Sequence, residues 1–189
     1  MNKHDLRQTA LSRRQALTTR QRQHMSSAIT DSLLQHLQNR FAGITTLLSY
    51  RAMNSEVNVD GLFGLPDYEV FAPVTHHHEH MEWRAITPAT TWAPGLFGVL
   101  EPEQGDTWQE QNSPAILICP LTGFDRRGNR LGMGKGCFDF WLAEHRLQLQ
   151  CIIGLAFSCQ EVSSIPHEAH DIPMNTVITE SEVIACPNP

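Results

Sequence analysis

Between Ala115 and Leu142 the chain reads AILICPLTGFDRRGNRLGMGKGCFDFWL, and this stretch limits the folds open to it more than any other. The unbroken apolar run from Ala115 to Leu121 has the pattern of a strand buried on both faces, which requires a sheet covered by helices on each side. Gly132, Gly134 and Gly136 then alternate over five residues, so backbone there can approach a ligand closely and take positive φ. A helix is expected from Cys137 to Gln148. Strand, glycine loop and helix N-terminus together make an anion site, because free amides and the positive end of the helix dipole point into the loop. Arg130 and Lys135 add full charges. Asp139 falls in the first helical turn, where the dipole favours a carboxylate and where it can hold the Mg²⁺ that accompanies a nucleotide. The spacing is neither a Walker loop nor a dinucleotide fingerprint, and it reads as a phosphate-binding loop.

Around this stretch, short apolar strands alternate with helical or loop segments. Ile44 to Ser49 reads as a first strand, Glu69 to Val74 as another, and Met81 to Ile86 as an alternating strand with one wet face. Val59 to Gly64 suits a short helix. Gln150 to Phe157 reads as a buried strand, and Asp125-Arg126-Arg127-Gly128 as a turn with Asp first and Gly fourth. The Pro- and Gly-containing segment Thr87 to Pro114 is expected to wrap the surface. Such alternation predicts a layered α/β fold with a largely parallel sheet, helices on both faces and ligands gathered at the carboxyl ends of the strands.

The chain has 189 residues, 41% of them hydrophobic, a size for one domain spanning 1–189 with a full core. Net charge is −6, which argues against nonspecific nucleic-acid binding by the chain as a whole. Residues 1–40 nevertheless hold seven of the fourteen Lys and Arg against two acids, +5, which leaves the remainder at −11. Something anionic is expected to meet that arm. An Arg-rich, acid-poor N-terminus also suits a mitochondrial transit peptide. Against that, Leu6, Ala10 and Leu17 share a helical face, and Ile29, Leu33 and Leu37 follow at spacing four, with Thr18 or Thr19 placed to cap the second helix. No signal-peptide core and no apolar run near 18 residues occurs, so no membrane span is expected and the location is read as cytoplasmic.

Five cysteines in no C-x-x-C pair suit a reducing compartment. Only Cys137, at a helix N-terminus beside Lys135, meets conditions that lower a thiol's pKa, and the plainer reading is a small residue lining a pocket. His76-His77-His78-Glu79-His80 can bind metal adventitiously, but consecutive histidines diverge, so a solvated loop is expected there.

The longer string Phe124-Asp125, Gly128, Arg130-Leu131-Gly132-x-Gly134-x-Gly136 and Asp139 resembles the signature of the 5-formyltetrahydrofolate cyclo-ligase family, also called methenyltetrahydrofolate synthetases. Lys3-x-x-Leu6-Arg7 is similar to that family's opening motif, and Gly98-Val99-Leu100-Glu101-Pro102 to its mid-chain Gly-x-x-Glu-Pro. Gly154-x-Ala156, Gln160, Ile165-Pro166, His170-Asp171 and Val177-Ile178-Thr179-Glu180 resemble its closing block. The resemblance implies a fold related to the sugar-phosphate isomerase and CoA-transferase group. It also implies ATP-dependent cyclisation of 5-formyltetrahydrofolate to 5,10-methenyltetrahydrofolate by a monomer with no nucleic-acid or membrane partner. A non-enzymatic nucleotide- or folate-binding protein on the same fold is the alternative.

Carried over residue by residue, the resemblance assigns Lys3, Arg7 and the loop Arg130, Leu131, Gly132, Met133, Gly134, Lys135, Gly136, Cys137 and Phe138 to ATP, with Arg130 and Lys135 catalytic. Asp139 and Asp171 become Mg²⁺ ligands, and Tyr50, Glu56 and Asn58 folate contacts. Two departures stand out. Asn58 replaces a usual acidic residue, after about two extra residues before Glu56, and Phe138 stands where the family commonly has tyrosine, which removes one hydroxyl donor worth about 0.5 to 1.5 kcal/mol.

Overall fold

The computed structural model describes residues 2–53, 55–109, 114–168 and 171–187. Two helices open the chain, α1 (Lys3–Ala16) and α2 (Thr19–Arg40). The Asn2 side chain caps α1 by accepting from the Asp5 amide, and Thr18 with Gln21 forms a reciprocal capping box on α2. Strands β1 (Thr46–Leu48), β2 (Glu69–His77) and β3 (His80–Ala85) follow, with a 3₁₀ turn at Asp60–Leu62 where a short helix is expected. Next come a small hairpin, β4 (Trp92–Pro94) with β5 (Leu100–Pro102), then the central strand β6 (Ala115–Pro120) and a second hairpin, β7 (Gly123–Phe124) with β8 (Arg130–Leu131). The chain ends with α3 (Cys137–His145), β9 (Leu149–Leu155), β10 (Thr176–Ile178) and β11 (Val183–Ala185).

Seven strands form the main sheet in the order β11-β10-β9-β6-β1-β2-β3. The five inner strands, β10 to β2 in that order, pair in parallel, and antiparallel strands close both edges. The apolar run is buried on both faces as its composition demands. Ala115, Leu117 and Cys119 point into the core that holds Trp141 and Leu142 of α3, whereas Ile116 and Ile118 join Ile29, Leu33 and Leu37 of α2 on the opposite side. Each such aliphatic side chain removed from water contributes about 1.5 to 3 kcal/mol, so the sheet is sandwiched by its own period-two alternation.

Several expectations are corrected. In α1 the third inward position, after Leu6 and Ala10, belongs to Arg14, which is 2% exposed, while Leu17 lies beyond the helix end and only half-buried. The histidine run is the tip of the β2–β3 hairpin rather than a loop, with His77 paired to His80. Residues 87–109 carry the β4–β5 hairpin instead of only wrapping the surface; residues 110–113 and His170 lie outside the described residues. The α-helix after the glycine loop stops at His145, and Arg146–Gln148 tightens into a 3₁₀ turn before β9. Among the described residues no helix is long and apolar enough to cross a membrane.

Gly154 in β9 shows how tightly the central layer is filled, since a Cβ there would lie 2.2 Å from Met174 Sδ and 2.7 Å from Leu121 Cδ2. Gly154→Ala is expected to destabilise the chain by about 1 to 3 kcal/mol through overpacking. Gly61→Ala, whose added methyl meets nothing closer than 3.8 Å, is expected to stay within about 0.5 kcal/mol of the parent. Urea denaturation of both variants measures the difference.

Candidate active site

Parallel pairing of β1 with both β2 and β6 reverses the direction in which strands are added to the sheet, and a crevice opens beyond the carboxyl ends of β1 and β6. A cavity of about 310 Å³ occupies it. Pro120, Leu121 and Thr122 form its floor; Tyr50, Arg51, Met53 and Glu56, which follow β1, form one wall. Pro73, Thr75 and Met81 of the β2–β3 hairpin and Phe97, Val99 and Glu101 of the β4–β5 hairpin form another. The glycine loop, with Lys3 and Arg7 of α1 and Asp171, closes the remaining side.

A buried carboxylate fixes the hairpin that carries the loop. Asp125 is 1% exposed and accepts from the amides of Arg127 (3.0 Å), Asn129 (3.1 Å) and Ile165 (2.9 Å). Its burial is compensated by these charge-assisted bonds. Beyond it, Gly134 (φ 87°) and Gly136 (φ 75°) take left-handed conformations, and Gly136 is the N-cap of α3 without a side-chain cap, so the first helical amides face the cavity end of the loop. Leu131 is buried against Leu6 and Ala10 of α1, and Met133 is half exposed.

The basic arm reaches this loop across more than a hundred residues of sequence. Arg7 Nε donates to Gly132 O at 2.7 Å. Lys3 Nζ lies 2.8 Å from Asp171 Oδ2 and 3.1 Å from Glu168 Oε1. Partial burial pulls the Lys3 ammonium down, but its bonds and charge contacts with Asp171 and Glu168 outweigh that and hold it above the ordinary lysine value. Arg130 is clamped between Asp139 and the Ile172 carbonyl. Lys135 Nζ stands 5.5 Å from the Phe97 ring centroid. Asp139 and Asp171 both border a second hollow of about 10 Å³, room for one water or ion, shared with Asn129 and Arg130. Among the described residues no group of three or more His, Cys, Asp or Glu has metal-site spacing.

Phe138 is packed edge-on to Trp83, with ring centroids 6.0 Å apart, and Trp83 meets Trp141, which meets Trp108. Partial burial, with Asp139 nearby, pushes the Cys137 thiol up, against the lowering that a helix N-terminus and Lys135 would give alone. Cys137 is a lining residue.

On the β1 side the Tyr50 hydroxyl donates to Val57 O at 2.9 Å, and burial, reinforced by Glu56, holds its pKa well above the usual value. Glu56 is 9% exposed and accepts from the Met53 amide at 2.9 Å. Burial raises its carboxyl despite that bond and despite Arg14, whose Nη1 lies 3.9 Å away and also donates to Leu121 O at 3.1 Å. Asn58 lies apart: it does not line the cavity, and its Oδ1 accepts from the Asp60 amide, starting the 3₁₀ turn.

Arg14 and Arg51 carry no assignment from the sequence, and Glu101 enters there only as part of the Gly98–Pro102 motif. Arg14 shares one helical face with Lys3, Arg7 and Ala10, a periodicity carried by charge, and counting basic residues at spacings of three and four finds it. Glu101 accepts from the Thr75 amide at 3.0 Å, and a Cβ on Gly95 would fall 2.1 Å from its carboxyl carbon, so the bend of the hairpin lies flat against this carboxylate. Arg51 stands 4.8 Å from the Trp92 ring centroid and 5.7 Å from that of Phe63, with Asp60 Oδ1 at 2.9 Å. No local pattern marks those pairs.

The chain is similar to the 5-formyltetrahydrofolate cyclo-ligase of Haemophilus influenzae, 29% identical over 168 residues that cover 86% of this chain and 89% of that protein. It is 26% identical to the mouse protein of the same name over 199 residues, covering 94% and 93%. The NMR structure of 5,10-methenyltetrahydrofolate synthetase from Aquifex aeolicus superimposes with a TM-score of 0.79 at 26% identity, covering all of this chain and 95% of that one. The sequence model of the 5-formyltetrahydrofolate cyclo-ligase family matches residues 1–180, and with the motifs of arm, loop and closing segment gathered on one cavity, the chain belongs to that family.

Proposed function

We propose that this chain is a 5-formyltetrahydrofolate cyclo-ligase that uses ATP to close 5-formyltetrahydrofolate to 5,10-methenyltetrahydrofolate, with ADP and phosphate released. The observation that carries this reading is the meeting of Lys3 and Arg7 with the Gly132–Gly136 loop at one end of a cavity whose other walls are apolar enough for a pterin. Ligase relatives favour it over a non-enzymatic nucleotide or folate sensor.

A formamide oxygen is a poor leaving group. The N5-formyl oxygen therefore attacks the γ-phosphorus, ADP departs, and the resulting imine phosphate is attacked at the formyl carbon by N10. Phosphate then leaves and N10 gives up its proton. Little covalent chemistry falls to the protein; it must align two substrates and meet the charge that develops on the transferring phosphoryl group. Arg130 and Lys135 stand at the loop as those cations, the loop amides meet the phosphate oxygens, and Lys3 and Arg7 clamp from the arm. Tyr50 and Glu56 border the folate side.

Asp139 and Asp171 fit a Mg²⁺ site, because that ion takes one or two carboxylates and completes its shell with water and phosphate oxygens, and the small hollow between them is ion-sized. Bound there, the metal would neutralise phosphate charge. We infer further that the chain acts as a cytoplasmic monomer with both substrates in one domain, and that its sheet is kin to the sugar-phosphate isomerase and CoA-transferase group.

Mixing protein, MgATP and 5-formyltetrahydrofolate should develop the methenyl chromophore, and its absence would count against the ligase reading. Arg7→Ala should raise the KM for ATP roughly ten- to a hundredfold, at about 1.4 kcal/mol per decade for the loss of one or two charge-assisted bonds. Exposed Arg20 is the control, and Arg20→Ala should do little since salt screens its charge. Equal KM values in the two variants would remove Arg7 from the nucleotide site.

Asp139→Asn should raise the Mg²⁺ concentration needed for half-maximal rate about tenfold or more, while the unfolding free energy from urea titration falls by no more than about 1 kcal/mol, because this carboxylate is 40% exposed. Loss of stability without a change in Mg²⁺ dependence would make the Arg130 pair its only role.

A further inference from the structure

We propose that Arg51 receives the glutamyl carboxylate of the folate and sets the preference of the site for glutamylated substrate; this rests on the ligase reading above. Among the described residues five cations border the cavity, and four of them, Lys3, Arg7, Arg130 and Lys135, belong to the arm and the loop where phosphate charge is to be met. Arg51 is the remaining one. It follows β1, beside Tyr50, Met53 and Glu56, on the wall that the phosphates do not need.

Its setting is that of an oriented fork. The guanidinium carbon lies 4.8 Å from the Trp92 ring centroid, and Trp92 is itself stacked on Phe63 at 5.8 Å and 22°. Stacking on an aromatic face restrains the plane of an arginine while leaving its N–H edge able to take a planar carboxylate in two bonds. Asp60 supplies a charge contact at 2.9 Å, yet its Oδ1 accepts no hydrogen bond among the described residues, and Arg51 donates none there. The side chain is 28% exposed, open enough to be reached and dry enough to matter.

Substrate chemistry gives the direction. The formyl oxygen must face the γ-phosphate, so the pterin turns its N5 edge to the glycine loop and the p-aminobenzoyl-glutamate extends away from it. Met53, Pro73, Met81 and Val99 offer an apolar path for the aryl ring, and the anion at its far end needs a cation. Arg51 is the cation on that side.

The test compares steady-state KM values for 5-formyltetrahydrofolate and for 5-formyltetrahydropteroate, which lacks the glutamate, in the parent, Arg51→Gln, Arg51→Lys and Trp92→Leu. The ratio of the two constants within one protein is independent of how much enzyme is folded. The parent should bind the folate about tenfold better than the pteroate, the loss of one charge-assisted pair at a partly open site. Arg51→Gln should bring that ratio to one by raising the folate constant alone. Arg51→Lys and Trp92→Leu should give intermediate ratios, the first keeping charge without the fork and the second keeping the fork without its support. A parent ratio of one, an unchanged ratio in Arg51→Gln, or a rise in the KM for ATP in place of the folate constant would each overturn the assignment and leave Arg51 as a surface residue packed on Trp92. A parent inactive on both folates would instead overturn the ligase reading, and this assignment with it.

Discussion

Everything in the site depends on β1 pairing in parallel with strands on both of its sides. Strands added to the main sheet after the β2–β3 hairpin return to the other flank of β1, and the chains leaving the carboxyl ends of β1 and β6 are forced apart there. The gap is therefore a consequence of strand order, and it exists before any side chain is chosen to line it. The loop that fills one end of the gap is rigid for a separate reason. Asp125, with three backbone amides on its buried carboxylate, pins β7 to β8 and to Ile165, so Arg130 and the glycines are presented from a fixed hairpin.

The N-terminal helices complete the arrangement rather than decorate it. Ile29, Leu33 and Leu37 of α2 cover one sheet face, and α1 lies across the loop through Leu6, Ala10 and Leu131. Arg14 is the costly part of that packing. Burial lowers its pKa while Glu56 and the Leu121 carbonyl offset the penalty only in part, and its Nε has no hydrogen-bond partner among the described residues. A buried guanidinium of this kind is a weak stabiliser, and its contact with a carboxylate that borders the cavity ties the arm to the wall that follows β1 as well as to the glycine loop.

Much of this was legible in residue order, and the reasons for the exceptions are physical. The central strand, the loop and the capped second helix each carry their signal locally, as an apolar run, as alternating glycines and as Thr18 followed by Gln21. Three-residue strands such as β4, β5 and β11 show no period, so the hairpin inside the Pro- and Gly-rich segment and the last edge strand could not be read. Leu17 was expected inside because its type is apolar. The helix ends one residue earlier, and the inward position falls to Arg14, whose partner Glu56 lies forty-two residues away. Cys137 illustrates the same limit for chemistry, since its helix-end position is local but the burial that decides its thiol is not. Arg51 could be found only once Phe63 and Trp92, distant in sequence from it and from each other, had been brought together.

The tryptophans carry an optical consequence. Three of the chain's four, Trp83, Trp108 and Trp141, form one chain of ring contacts that ends on Phe138 beside the glycine loop, and the fourth, Trp92, carries Arg51 on the wall that follows β1. Indole emission responds to the polarity and motion of its immediate neighbours, so the two ends of the cavity are each wired to their own fluorophores. The three-ring cluster responds to the loop and the remaining indole to the opposite wall, and the conjugated methenyl product, unlike the reduced 5-formyl substrate, absorbs where indoles emit. Energy transfer from the indoles thus marks the moment at which the ring closes inside the cavity.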